Sequence, residues 1–511
     1  MLINTSDVAA KQAWLDHNDS INEKFKELDD IVKHVNDITA YSKVNQERQI
    51  KNLFLKHALD PEGDEPGAFP NISLPYGQNA RFYGRTDELG KIEQYLKPKD
   101  DSSLRTYTIY GRRGVGKTEI ALQFAYTNHV GFDAIFWIQC ETTVSIRQSF
   151  TDVAASLSLP GADRDGHHEE NLIAVQKWLK KTPRRWLLIF DNAEQDYILK
   201  GYWPTGAAGA ILTTSRKYHN FTKDSKRQGE TIKPFDKTQS WDLLLQLLGD
   251  DWKKLDREGR LLPNEVAAAK GMLEKLGGLA LAIRQAASLI KNAEIGGPTI
   301  SKTYEIFRDK IKNLPERHMS DRSSTEKPLD ALWDMTFNSL KKNTRVLLGV
   351  LAWFSPDSIP EQLFTPRQQS ALDGRFEFCK QETAYVDDKN RASLLAVTAP
   401  TPGLEAALEE LETKQLIKRS RRNLSIHRVV QEAVNYHDVT ELQQSFDVAS
   451  RLVYEQFPHQ VEFQSLYDRW SVCQIFIPHG VILSKKFADY TKGGKLKPND
   501  YFLELLRSCA W

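Results

Sequence analysis

The sequence predicts an α/β fold built on a parallel sheet, followed by an all-helical region and a mixed helical one. Three observations carry that expectation. Between Arg105 and Phe235, short apolar runs alternate with amphipathic stretches of helical spacing. The runs "AIFWIQ", "WLLIF" and "AILTTS" are continuous rather than alternating, as in strands covered on both faces. Beyond Pro234 the strand-like runs give way to apolar residues three and four apart.

Taken in order, residues 1 to about 58 read as helix. Ile21, Phe25, Leu28, Val32 and Val35 are spaced 4, 3, 4, 3, which makes one apolar stripe. Two heptads fit a bundle helix or a short coiled coil. The stretch "DPEGDEPGAFPNISLPYGQ" is rich in Pro and Gly and reads as a linker. Then "TYTIY" is a strand and "KTEIALQFAYT" a helix; "AIFWIQ" is a strand and "SIRQSFTDVAASL" a helix. A further helix, "NLIAVQKWLKK", stops at Pro183, and the strands "WLLIF", "AILTTS" and "ETIKPF" follow.

The expected regions are 1–60 helical, 61–80 linker, 81–233 α/β, 234–300 helical and 301–340 connecting. Two helices and a turn-linked hairpin at 341–440 suggest a winged helix, and 441–511 is helical again. No tandem repeat is evident.

Bulk numbers narrow the function classes. At 511 residues the chain exceeds a single core. Its 69 Lys+Arg balance 68 Asp+Glu, so no global field concentrates nucleic acid or anionic membrane. Cys140, Cys379, Cys473 and Cys509 form no C-x-x-C pair, which argues against a zinc site or disulfide framework. The N-terminus lacks an apolar signal region and no run approaches membrane-spanning length; a cytoplasmic chain is expected.

Between the first strand and its helix lies "GRRGVGKT", residues 111–118, which fits the phosphate-binding loop G-x-x-x-x-G-K-T. Gly111, Gly114 and Gly116, with Val115 between them, let backbone N–H groups converge on phosphate oxygens. Lys117 neutralises the outer phosphates, the Thr118 hydroxyl ligates Mg²⁺, and Glu119 opens the helix. The fold is therefore an α/β P-loop NTPase, with strand order 5-1-4-3-2 expected and ADP or ATP with Mg²⁺ as ligand. Asp191, at the end of "WLLIF", stands where ligands collect on parallel sheets and is the second metal-organising residue. Asn192 follows where many ATPases carry an acid; an amide orients water but takes no proton from it, so hydrolysis is expected to be slow or dependent on assembly. Glu194 is a nearby substitute acid. Arg216, ending "AILTTSR", suits a sensor of the third phosphate, against the competing role of an ordinary surface arginine.

The ordered segments "FYGRTDEL" (82–89), "GRRGVGKT", "LLIFDNAE", "ILTTSR", "GGLALA" (277–282) and "LSIHRVVQ" (424–431) resemble the NB-ARC family of STAND signalling NTPases, in its fungal NLR-like branch. The resemblance spans about residues 80 to 440. It implies that Phe82 and Arg85 line the adenine side of the pocket, that Leu279 and Ala280 cover the base, and that His427 touches the β-phosphate of ADP. Two departures stand out: Ala280 replaces a usual proline, and Arg428 replaces a common aspartate. The resemblance further implies an ADP-held switch that self-associates on activation, with an unknown sensed ligand or protein and no nucleic acid required. The last 70 residues resemble the helical start of a repeat array. A DNA-binding regulator is the competing function, motivated by the basic run "KRSRR" (418–422).

Overall fold

The computed structural model describes residues 69–97, 104–160, 162, 168–195, 197–204, 209–219, 228–291, 299–313, 327–365, 372, 374–380, 400–420, 422–437, 441–459, 469–491 and 496–510. The expected N-terminal helix at 1–60 lies outside these residues.

Among the described residues, the first layer holds β1 (Asn71–Ser73), α1 (Thr86–Leu96), β2 (Leu104–Tyr110), α2 (Lys117–Thr127), β3 (Ala134–Gln139), α3 (Thr143–Ser156), α4 (His168–Lys181), β4 (Trp186–Asp191), β5 (Gly209–Ser215) and β6 (Gly229–Thr231). The six strands are all parallel, in the order β1-β3-β4-β5-β2-β6. Counted from Leu104–Tyr110, β2 to β6 follow the expected order 5-1-4-3-2; the correction is a sixth strand, β1, at the edge beside β3. Asn71–Ser73, read as linker because of the prolines and glycines around it, pairs with Ala134–Phe136 and adds an edge strand. A three-residue run between turn signals is too short to show strand periodicity.

The pleat explains why the central strands are apolar throughout. Ala134, Phe136 and Ile138 point with Trp186, Leu188 and Phe190 into a core shared with Phe150, Val153 and Trp178. Their neighbours Ile135, Trp137, Leu187 and Ile189 point to the other face, against Ile92, Ile120 and Phe124. Period-two alternation with helices on both faces leaves no solvent side to mark. α3 starts at Thr142, whose hydroxyl accepts from Ser145 N–H at 3.0 Å while Ser145 Oγ accepts from Thr142 N–H at 3.0 Å.

A helical region follows: α5 (Lys237–Leu248), α6 (Asp250–Arg257), α7 (Pro263–Leu276), α8 (Ala280–Lys291), α9 (Ile300–Asn313) and α10 (Lys327–Asn338). Its core gathers Leu244, Met272, Ile283, Ile290, Phe307 and Leu332. Asp236 and Gln239 form the capping box that starts α5. Next come α11 (Lys342–Leu351), β7 (Ile359–Pro360), α12 (Pro402–Thr413), β8 (Ile417–Ser420), β9 (Asn423–Ile426) and α13 (Arg428–His437). The three strands make an antiparallel sheet in the order β7-β9-β8; we call this part the hairpin region.

The chain ends in α14 (Leu442–Gln456), α15 (Trp470–Thr491) and α16 (Asp500–Ala510). Trp353 of the hairpin region meets Phe446 at 5.2 Å between ring centroids, and Phe446 stacks on Phe487 at 5.2 Å. Lys486 donates to Ala352 C=O and to Gln431 Oε1, so α15 is tied to the hairpin region by polar bonds as well. Among the described residues, no helix is long and apolar enough to cross a membrane.

The join between the sheet and the helical region is steric. Gly278 has φ 71°, and a Cβ there would lie 2.0 Å from the Phe235 carbonyl oxygen, which no side chain tolerates. Gly278→Ala should therefore destabilise the chain by about 1–3 kcal/mol through strain and displaced packing. A fall in the urea midpoint at unchanged slope checks this; an unchanged midpoint contradicts it.

Candidate functional site

β2 runs into the phosphate loop, and three positive-φ glycines shape it: Gly111 at 153°, Gly114 at 77° and Gly116 at 100°. Gly116 is the N-cap of α2, and its left-handed turn points the first N–H groups of the helix into the loop. Val115 is buried beneath the loop and anchors it to the sheet core. Lys117 curls back, its ammonium donating to Gly111 C=O at 2.9 Å and Arg112 C=O at 3.2 Å. Burial lowers its pKa, with Glu194 and Asp191 opposing that shift.

Thr118 Oγ1 donates to Asp191 Oδ1 at 3.0 Å, so the two expected metal-organising residues meet. Asp191 also accepts from Thr214 Oγ1 at 2.6 Å. Burial raises the Asp191 carboxyl above its ordinary range, while Thr214, Arg428, Thr118 and Lys117 pull it back. Asn192 has a left-handed backbone at φ 64°, and its N–H donates to Thr214 Oγ1 at 2.9 Å. Arg216 is exposed and its Nε donates to Glu194 at 2.7 Å. The substitute acid and the expected sensor thus hold one another.

The upstream and helical residues converge on the same loop. Arg85 is buried with φ 63°, and its guanidinium donates to Val115 C=O at 3.2 Å and Glu88 at 2.7 Å. It also lies 4.0 Å from the Phe235 ring centroid. Phe82 packs against the α1–α2 side of the sheet core. Leu279 packs against that core and the helical one together, and Ala280 against the helical one. Leu281 N–H donates to Gly114 C=O at 3.0 Å, tying α8 directly to the phosphate loop.

The hairpin region reaches the loop through charge. His427 precedes α13, and its Nδ1 accepts from Val429 N–H at 3.2 Å, leaving the proton of the neutral ring on Nε2 as a donor. The ring is solvent-accessible but lies deep among protein atoms. That depth, then Arg428, Lys418, Lys117 and Arg113, push its pKa down to about 3. Lys418 donates to Glu119 at 2.5 Å, and Asn79 donates to the other oxygen at 2.8 Å. Burial raises the Glu119 carboxyl, but Lys418, Asn79 and Arg284 outweigh it and hold the pKa below the ordinary value. Arg113 pairs with Glu432, and Arg284 of α8 donates to Gln415 at 2.9 Å.

Arg428 carries no aspartate-like contact. Its guanidinium forks onto Glu141, with Nε to Oε1 at 3.0 Å and Nη2 to Oε2 at 2.7 Å, and also pairs with Asp357. Within the run at 418–422, Lys418 holds Glu119, and Arg419 bridges Glu361 and Glu405. Those internal pairs weigh against the run as a DNA-binding surface.

Sequence reasoning missed Glu141, Asp357 and Tyr76. Glu141 had the signal that found Asp191, an acid just past the end of a buried strand, and it went unused. Tyr76, over whose ring Lys418 sits at 5.1 Å, lies in the supposed linker and gave none.

These features define a P-loop NTPase domain: a parallel sheet, a glycine loop capping α2, and an acid on the neighbouring strand hydrogen-bonded to the loop's hydroxyl. Residues 85–251 match the NB-ARC domain, a family of P-loop NTPases. The chain is 25% identical over 340 residues to a nucleotide-binding leucine-rich repeat (NLR)-like protein of Hyaloscypha variabilis, covering 60% of this chain and 33% of that protein. It is 26% identical over 187 residues to a probable disease resistance protein of Arabidopsis thaliana, covering 34% of this chain and 24% of the relative. The chain thus spans a third or less of the length of these curated relatives. Among solved structures, a STAND protein with a tetratricopeptide repeat sensor from Pyrococcus horikoshii aligns over 85% of this chain and 52% of its own, at 13% identity and TM-score 0.44.

The depressed pKa of His427 gives a signed pH dependence. Unfolded, the ring titrates near 6.5; folded, it does so at about 3. Between those values the unfolded chain binds the extra proton, so this contribution to stability is intact above pH 6.5 and erodes as pH falls. His427→Gln should therefore lose less stability than wild type between pH 7 and pH 5, read as the change in urea midpoint. Parallel losses would contradict the lowered pKa of this ring.

Proposed function

We propose that the chain is a signal-transduction switch of the NLR type, held closed by ADP and opened and self-associated on exchange to ATP. The observation that carries it is the convergence of three regions on residues 111–119. The N-terminal approach binds the loop through Arg85, the helical region through Leu281, and the hairpin region through Lys418 and Glu432. A ligand held at that loop acts on the placement of all three.

The residues suit a diphosphate and its metal. Thr118 and Asp191 offer hard oxygen donors of the kind Mg²⁺ takes, and phosphate oxygens and water complete such a shell. Lys117 and the first N–H groups of α2 hold the phosphates, and His427 offers Nε2–H to the β-phosphate. Phe82, Arg85, Leu279 and Ala280 form the adenine side. Arg216 senses a third phosphate once freed from Glu194, and Asn192 orients water without accepting its proton. On this reading 81–233, 234–300 and 341–440 are the nucleotide-binding, helical and winged-helix domains, and the chain works in the cytoplasm.

Magnitudes set what else is needed. Occupancy at about 1,000 times the dissociation constant, if confined to the closed form, stabilises it by about 4 kcal/mol. Inverting a closed:open ratio from about 99:1 to 1:99 requires about 10⁴-fold differential affinity, or about 5.5 kcal/mol. Loss of one His427 contact supplies part of that, so a sensed ligand or protein supplies the remainder.

Lys117→Ala should abolish binding of a fluorescent ADP analogue while leaving the fold intact by circular dichroism. His427→Ala should retain binding but raise the assembled fraction in Mg·ATP, measured by light scattering. Undiminished ADP binding in the first variant, or an unchanged assembly state in the second, overturns the reading.

A further inference from the structure

β3 ends at Gln139, in register with Asp191 on the adjacent strand. Cys140 N–H then donates to Asp191 C=O at 2.9 Å, so Glu141 leaves the sheet at the same C-terminal edge, one strand over from the metal-organising acid. Its carboxylate is mostly buried, and both oxygens accept from the Arg428 guanidinium. Arg428 is the first residue of α13 and travels with the hairpin region. The two alternatives near Asp191 are poorer. Asn192 has no carboxylate, and Glu194 holds the backbone and side chain of Arg216 on an exposed edge.

We propose that Glu141 is the catalytic carboxylate for ATP hydrolysis in this chain, and that Arg428 masks it for as long as the hairpin region is closed. The proposal rests on the adenine-nucleotide reading above. In the step, a water oxygen forms a bond to the γ-phosphorus. The bond from that phosphorus to the β,γ-bridging oxygen breaks, and its electron pair leaves with ADP. Glu141 accepts the proton the water gives up and passes it to solvent, and inorganic phosphate departs.

The masking follows from the fork. Two charge-assisted bonds to one guanidinium occupy the carboxylate lone pairs a water would need. Rotation of α13 away from the sheet removes Arg428 and leaves the carboxylate beside Asp191. Hydrolysis then belongs to the open state, and the open state acquires a built-in return to ADP. One ion pair serves as both a closing contact and a brake on chemistry.

The test compares wild type, Arg428→Gln, Glu141→Gln and the double variant, all as the full chain with Mg·ATP. Single-turnover hydrolysis and assembled mass by light scattering are followed together. Either single substitution breaks the fork, so both should raise the assembled fraction to a similar extent. Only Arg428→Gln should hydrolyse faster than wild type, by about tenfold or more, whereas Glu141→Gln and the double variant should fall at least about 100-fold below Arg428→Gln, the usual contribution of a positioned general base. Glu141→Gln should also keep its affinity for a fluorescent ATP analogue and persist in the assembled form.

If Glu141→Gln hydrolyses as fast as Arg428→Gln, Glu141 is only a structural partner and the proposal fails while the switch stands. The proposal fails equally if Glu194→Gln, not Glu141→Gln, abolishes turnover in the Arg428→Gln background, or if no variant hydrolyses above wild type. If the hydrolysis pattern holds but neither variant changes the assembled mass, the catalytic assignment stands and the switch fails.

Discussion

A single backbone hydrogen bond, from Leu281 N–H to the carbonyl of Gly114, fixes how the rest of the molecule is arranged. It makes a glycine of the phosphate loop a structural contact of the helical region, and the geometry on either side adapts to it. A Cβ on Gly114 would come within 3.3 Å of the Leu281 Cβ, and Gly278 sits against the Phe235 carbonyl, so the two regions approach as closely as backbones allow. Phe235 N–H also donates to Gly278 C=O at 2.9 Å. The loop consequently cannot change shape without moving α8, and α8 carries Arg284 to the turn before β8.

The hairpin region is held differently. Lys418–Glu119 and Arg113–Glu432 are partly exposed pairs, each worth roughly 0–1 kcal/mol. Arg428 with Glu141 and Asp357 is more enclosed; burial opposes its charge, but Asp357, Glu141 and Asp191 outweigh that and hold its pKa above the ordinary value. Breaking such a group leaves unpaired charge in a dry setting, at a cost of several kcal/mol unless water enters. These contacts of the hairpin region towards the sheet are polar, while α13 packs against α10 of the helical region. The terminal helices also bond the hairpin region: Lys486 of α15 donates to the carbonyl of Ala352 and to the side chain of Gln431, one turn along from Arg428.

Much of this was legible because strand–loop–helix motifs are local. The glycines of residues 111–116, Lys117, Thr118 and Asp191 can be identified from spacing alone, since the chemistry requires them in one order along one strand edge. Phe82, Arg85, Leu279, Ala280 and His427 could be singled out only through the ordered family resemblance, because nothing in their own neighbourhoods marks a pocket. Asn71–Ser73 was hidden by flanking turn residues, its strand character coming from the edge of β3. Glu141 carried a local signal, but its importance comes from lying two residues past Gln139, the register partner of Asp191 on the adjacent strand, and the meaning of Arg428 depends on an acid 287 positions away. Lateral register and distant pairing are the two things a linear pattern does not encode.

The central claim is that the nucleotide at residues 111–119 sets the distance between the sheet and the hairpin region. It is tested most directly by pulsed electron-spin distance measurement between labels at Val130→Cys and Glu409→Cys. Both positions are exposed; the native cysteines Cys140, Cys379 and Cys473 are buried, and Cys509 is replaced by serine. A single short distance in ADP that gives way to a longer one with Mg²⁺ and a non-hydrolysable ATP analogue is the result expected. An identical distribution in the two nucleotides, with both shown to be bound, would contradict it.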